Sequence, residues 1–251
     1  MRVLYDRINT ISATNENASF PDDNMLTPYQ GQLFKSTNTT SVITINSVTT
    51  AGVNGNAFYI GNTNATEGSY SLYDDTNTLV ETVSFDVDNR DSLIDIITGT
   101  KRQGFIEHWQ LFGTYQPAAF KLVITLTTTA ATLYVGIIRT GLADHFTNPN
   151  YGWQQNIIDT SIVNSTNIGA TYILNRDKIR VFNGDFIAMP NDDFYKFQDL
   201  YYKLQGQSTA FYFVDDGTSS RQMCFGKLQQ PSSTFPSFEL GNWSINITEE
   251  L

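Results

Sequence analysis

Side chains that commonly do chemistry are scarce in this sequence: two histidines and one cysteine among 251 residues. His108 sits in Phe105-Ile106-Glu107-His108-Trp109, and His145 in a loop-like stretch beginning at Asp144. A hydrolytic triad needs one imidazole beside a nucleophile and an orienting acid. No Gly-X-Ser-X-Gly elbow is present to offer a serine. Cys224 lies between Met223 and Phe225, a setting that suits an inert buried thiol, since reactivity needs positive surroundings. A single cysteine excludes an internal disulfide and a cysteine-built zinc site, and two histidines do not make a three-histidine centre. Gly-rich phosphate loops are absent as well. The expectation is a protein with no catalytic residues and no organic cofactor.

Acids and aromatic rings are the remaining candidates. Asp22-Asp23-Asn24, Asp74-Asp75 and the set Asp86, Asp88 and Asp91 offer oxygens of the kind calcium takes. None has EF-hand spacing, and such pairs are also ordinary turn residues. Asp22 and Asp23 are the candidate metal ligands, with calcium the candidate ion. Paired carboxylates for glycoside hydrolysis are a matter of spatial separation, which sequence does not set. Tyr29, Phe34 and Tyr115 stand near turns. Tyr29 and Phe34 are the candidate contacts for a glycan ring; the plainer alternative is that such rings cap the ends of a barrel.

Composition narrows the classes. Fifteen Lys+Arg against twenty-five Asp+Glu leave a net charge of −10, the wrong sign for releasing counterions from nucleic-acid phosphates. Charged residues make up 16% and aromatic ones 13%, the reverse of a disordered chain. Met1 to Thr10 is polar and interrupted by Asp6 and Arg7, unlike an export signal, so the chain is expected to be made in a cytosol. Phe120–Leu126 and Leu133–Ile138 are far shorter than the ~20 residues of a spanning helix, so no membrane insertion is expected. Asn-X-Ser/Thr triplets begin at Asn17, Asn38, Asn64, Asn164, Asn242 and Asn246; Asn- and Thr-rich composition accounts for them without glycosylation.

These residues must be positioned mainly by strands. Val83, Phe85 and Val87 alternate with Ser84, Asp86 and Asp88, and Trp243, Ile245 and Ile247 with Ser244, Asn246 and Thr248, the period-two pattern of a strand with one wet face. Other runs rich in Val, Ile, Thr, Tyr and Phe, among them Ser41–Ile45, Ala57–Ile60, Phe105–Phe112 and Phe120–Leu126, suit a pleated surface. Turn formers such as Asp74-Asp75-Thr76-Asn77 and Asn183-Gly184 separate them. Many short strands at even spacing point to sandwiches or barrels.

One segment differs. Asn191 is a suitable N-cap, Asp192 and Asp193 favour the positive end of a helix, and Phe194, Phe197, Leu200, Tyr201 and Leu204 form one apolar stripe. Gly206 is suited to the stop. The spacing predicts an amphipathic helix over about Asn191–Gln205 lying across a sheet. A shorter helix over Asp91–Ile97 is a second candidate. The Pro- and Gly-punctuated stretch Gly141–Trp153 marks a boundary. The fold class expected is therefore mainly β: a β-sandwich or jelly roll over residues 1–142, then a smaller β-rich domain over 143–251 with the helix on its sheet.

Several strings carry a family resemblance. Val3-Leu4-Tyr5, Ser12-Ala13-Thr14-Asn15-Glu16-Asn17-Ala18-Ser19-Phe20-Pro21, Asn24-Met25-Leu26 and Phe34-Lys35-Ser36 resemble the opening of bacteriophage virion proteins with a discoidin-like (galactose-binding-like) jelly roll. Ile60-Gly61-Asn62-Thr63-Asn64 resembles a strand-end motif of that domain, with Thr63 where His is frequent. Val135-Gly136-Ile137-Ile138 and Asn150-Tyr151-Gly152-Trp153 look like its exit. Lys178-Ile179-Arg180-Val181-Phe182, the Pro190–Gly206 segment and the terminal Trp243–Leu251 are similar to the phage distal tail protein family. The resemblance implies a non-enzymatic virion protein at the tail tip, forming a ring or adaptor with the tail tube and hub proteins. It also implies, for the first domain, contact with a host surface glycan. No catalytic residue is carried over by it.

Overall fold

The computed structural model describes residues 2–4, 10–27, 29, 31–47, 55–87, 106–116, 120–146, 154–165, 171–174, 176, 178–214, 223–229, 231–234 and 240–250. In chain order the first strands are β1 (Arg2–Leu4), β2 (Thr10–Ala13), β3 (Phe34–Lys35), β4 (Thr40–Ser47), β5 (Gly55–Thr63) and β6 (Glu67–Tyr73). They continue with β7 (Leu79–Asp86), β8 (Ile106–Gln116), β9 (Phe120–Thr127), β10 (Tyr134–Gly141) and β11 (Ala143–His145). After these come β12 (Gln154–Asp159), β13 (Ile162–Ser165), β14 (Thr171–Leu174), β15 (Lys178–Pro190), helix α1 (Asn191–Lys203), β16 (Phe211–Val214), β17 (Met223–Leu228), β18 (Ser232–Thr234) and β19 (Leu240–Glu249). The chain forms two compact units, one built from Val3–Asp144 and the other chiefly from His145–Gly217 and Gln222–Leu251.

The first unit is a sandwich of two antiparallel sheets, one ordered β2-β4-β9-β6-β7 and the other β3-β10-β5-β8. Strand β9 shows the cause most plainly. Phe120, Leu122, Ile124 and Leu126 are buried while the residues between them are half-exposed, so the period-two pattern sets which face turns inward. Register then lines up apolar rows: Ile43 and Tyr70 flank Ile124, and Ile45 and Leu72 flank Leu122. Phe58 and Ile60 of β5, Phe112 of β8 and Val135 and Ile138 of β10 close the same core from the other sheet. Phe58 touches rings from both layers, with Tyr70 at 5.2 Å and Phe112 at 6.0 Å between centroids. Each such side chain taken from water stabilises the fold by roughly 1.5–3 kcal/mol before entropy is counted.

The alternation expected for Val83, Phe85 and Val87 holds only in part. Val87 is buried and Phe85 half-buried, but Val83 is exposed, because β7 is the edge of its sheet. Asp74 opens the turn before it, its Oδ1 accepting from the amides of Thr76 and Thr78 at 2.9 and 2.8 Å. Asn77 there adopts φ 63°, a left-handed conformation that Asn tolerates better than most residues.

In the second unit the hydrogen-bonded order runs β16-β17-β19-β15-β12, with β18 alongside β19. Trp243, Ile245 and Ile247 point to the covered side of β19, as their spacing predicts. Helix α1 lies on β15 and β19: Phe194 and Phe197 pack on Trp243 at 5.1 and 5.2 Å between centroids, and Phe197 also on Phe186 at 5.7 Å. Gly241 permits this closeness, since a Cβ there would fall 2.1 Å from Cδ2 of Phe194. The helix start differs from expectation. Pro190 occupies the cap position, with no side-chain cap bond, and Asn191 is the first helical residue; a proline is tolerated there because its missing N–H would have no partner inside the helix. At the other end Gln205 is already left-handed at φ 52°, followed by Gly206 at φ 69°. The Gly206 amide closes the end on the carbonyl of Tyr201.

Residues 88–105, which hold the second helix candidate and Asp88 and Asp91, lie outside the described residues, as do residues 147–153 of the expected boundary stretch and the side chains of Tyr115 and Cys224. Among the described residues no helix is long and apolar enough to cross a membrane.

Candidate ligand-binding site

The stretch between β2 and β3 carries three of the four candidate site residues, Asp22, Asp23 and Tyr29, and it is a knitted loop. Lys35 places its ammonium 4.0 Å from the centre of the Phe20 ring, and the amides of Asn17 and Lys35 bond to the carbonyls of Lys35 and Phe20. A short 3-10 turn over Asp22–Leu26 follows. Asn24 donates from Nδ2 to the carbonyl of Leu33 at 2.9 Å, drawing the two ends of the following segment together. Thr27 Oγ1 lies within hydrogen-bond reach of the carbonyls of Asn24 and Tyr29, and the Gln32 amide donates to the Tyr29 carbonyl at 3.1 Å. Tyr29 is thereby held by its backbone while its side chain stands 50% exposed.

Phe34 does not share that surface. It is fully buried, a member of the sandwich core, and lies opposite Val135 in the pairing of β3 with β10. The expectation that it contacts a glycan is corrected: a ring with no exposed face has nothing to stack on a sugar. A two-residue strand is too short to display a period, so Phe34 read like Tyr29 in the sequence.

Asp22 and Asp23 sit at the start of the 3-10 turn. One oxygen of Asp22 accepts from the Ala13 amide at 3.0 Å, while Asp23 is exposed. The carbonyls of Met25, Leu26 and Thr27, next along the chain, are bonded to the guanidinium of Arg139. Among the described residues no three His, Cys, Asp or Glu side chains cluster as a metal would need. Sequence reasoning missed Arg139. The available signal was a lone charge directly after the apolar run Val135–Ile138, since a charge in such a place must be paired or hydrogen-bonded.

The other polar candidates are committed to the scaffold. Thr63 Oγ1 donates to the Tyr134 carbonyl at 2.8 Å and accepts from the Ala65 amide at 3.1 Å. Asn64 binds the Tyr134 amide and the Thr132 carbonyl, both at 2.8 Å, so its side chain ties strands together. Asp74 spends its carboxylate on its own turn, whose hydrogen bonds hold that acid below the usual carboxylate range. Glu81 accepts from the Tyr70 hydroxyl at 2.9 Å and from the Gly113 amide at 3.1 Å, bridging the two sheets. Burial, with Glu81 beside it, raises the Tyr70 phenol above its ordinary range. His108 stacks on Phe85, and burial lowers its pKa to about 4. His145 belongs to β11, and its carbonyl accepts from the Lys196 ammonium at 2.8 Å.

No protein-family model and no curated relative matches the sequence. Among solved structures, the chain is similar to chitosan-binding module 1 of a chitosanase/glucanase from Paenibacillus sp. IK-5, at 13% identity over 56% of this chain and 99% of that one, TM-score 0.39. It is similar to the lectin-binding domain of lectinolysin, a histidine mutant complexed with Lewis b, at 11% identity over 54% and 92%, TM-score 0.38. A fucose-binding module from Streptococcus pneumoniae matches at 10% identity over 56% and 94%, TM-score 0.37. At these levels the likeness identifies no ligand; the sandwich itself is established by its two sheets and their common core.

Proposed function

We propose that the first unit is a non-enzymatic carbohydrate-binding module with Tyr29 as its stacking ring. The observation that carries this reading is the pairing of an exposed aromatic side chain with a backbone carbonyl that accepts from both the Thr27 hydroxyl and the Gln32 amide. A sugar presents a flat face of C–H groups edged by hydroxyls, and a half-exposed tyrosine offers a matching apolar face with a polar tip. Asp23 and Gln32, both exposed in the same loop, are of the type that hydrogen-bonds hydroxyls. The experiment is a printed array of bacterial surface glycans. Binding by the intact chain that disappears in Tyr29→Ala supports the reading, and binding unaffected by that substitution, or none at all, overturns it.

A second reading rests on a different observation. Strand β12 is exposed along its whole length, and the hairpin β13–β14 pairs with no other described strand while exposing Val163 at 64% and Ile173 directly across from it at 55%. A two-stranded hairpin with bare apolar side chains is marginal by itself and is stabilised when another chain covers it. This supports a virion structural role, in which the second unit joins a ring or adaptor at the distal end of a phage tail, beside tube and hub proteins, and the first unit reaches a host surface. Light scattering on the purified chain tests it. A defined oligomer that falls apart in Ile173→Asp is the expected result, and a monomer at high micromolar concentration sinks the idea.

A further inference from the structure

Arg139 is a buried cation with an unusual shell. The residue is 7% exposed and lies in β10 between Ile138 and Thr140, both buried. Its Nη1 donates to the carbonyls of Met25 at 3.0 Å and Ile138 at 2.7 Å; its Nη2 donates to those of Leu26 at 3.0 Å and Thr27 at 2.8 Å. Three consecutive carbonyls of one loop therefore converge on a single planar group. Converging carbonyl oxygens are what hard metal ions use; here the positive charge belongs to the chain itself. Charge-assisted bonds are the stronger class, and the guanidinium fork is stiff enough to fix the directions of all three carbonyls at once. Thr27 is the last of the three, and its hydroxyl lies 3.3 Å from the Tyr29 carbonyl. The order imposed at Arg139 thus reaches the Tyr29 backbone in two steps.

We propose that Arg139 is a positioning residue: an internal cation that sets the conformation of the loop over Met25–Thr27 and so fixes Tyr29 for its ligand. The last clause rests on the carbohydrate-binding reading; the ordering of the loop does not. A lysine offers one compact ammonium without the planar fork, so it holds fewer of these carbonyls in place.

Amide hydrogen exchange on Arg139→Met and Arg139→Lys is the test, with the same glycan array run in parallel. In Arg139→Met the amides of Thr27 and Gln32, which donate to the carbonyls of Asn24 and Tyr29, should exchange faster, on the order of tenfold or more, as their local opening loses its charge-assisted bonds. Amides of β4 and β9 should be unchanged, and Arg139→Lys should fall between. Array binding should weaken in the same order. Faster exchange in a protein whose wild type binds no glycan supports the positioning role while removing the sugar reading. Unchanged exchange at those two amides overturns the proposal whatever the array shows. If Arg139→Met does not fold, NMR of the wild type decides: distinct, slowly exchanging guanidinium protons support the cage, and a freely rotating, fast-exchanging group refutes it.

Discussion

His108 lies flat against Phe85, with ring centroids 4.1 Å apart and planes 14° from parallel. The two residues come from β8 and β7, which belong to different sheets, so the stack is one of the points where the layers of the first unit meet. An imidazole in that position is kept neutral, because burial penalises its charged form and brings its pKa from 6.5 to about 4.

Stability should therefore depend on pH through His108. Between pH 6.5 and about 4 the unfolded chain binds a proton that the folded chain refuses. Stability is complete above 6.5, falls as the pH drops, and levels off near 4. A shift of this size corresponds to at most about 3 kcal/mol. Urea denaturation across that range, wild type against His108→Phe, isolates the contribution, since the carboxylates are common to both. Parallel pH dependences would show that the imidazole is not desolvated.

Glu249 should prove costly to alter. It is 6% exposed, accepts from the backbone amide of Arg180 at 2.9 Å and from its Nε at 2.8 Å, and forms an ion pair with the same guanidinium. Replacing it by Gln removes a buried carboxylate bonded to the Arg180 guanidinium and amide, for which a loss of about 2–4 kcal/mol is expected. Thermal denaturation should show a clearly lowered midpoint. A change within error would mean that Glu249 is not what holds the Arg180 charge.

Gly241→Ala should push α1 off its sheet. The new methyl would meet the Phe194 ring at 2.1 Å, so ring or helix must shift, at about 1–3 kcal/mol for overpacking. Reduced stability with altered near-ultraviolet dichroism from Trp243 is the expected signature. Full stability would place the helix farther from β19.

Phe34 and Tyr29 should separate core from surface. Phe34→Ala removes a fully buried ring and should destabilise the first unit by about 3–5 kcal/mol. Tyr29→Ala removes a half-exposed one and should change stability by less than about 1 kcal/mol. Chemical denaturation of the two variants gives the comparison, and equal losses would contradict the opposite placements of the two rings.

Local patterns along the chain are enough to specify the mainly β architecture and the helix on the second sheet. Alternation along Phe120–Thr127 and Leu240–Glu249, and the three- and four-residue steps from Phe194 to Leu204, are local patterns, and the hydrophobic effect reads them directly into an inward face. Tertiary structure decided what those patterns leave open. It sent Phe34 inward and left Tyr29 outside, because a two-residue strand has no period of its own and takes its facing from β10. It also brought Arg139 to Thr27, 112 residues away, where backbone carbonyls serve as the acceptors. Carbonyls are common to every residue, so no spacing of side-chain types announces such a cage; only the folded path of the chain assembles it.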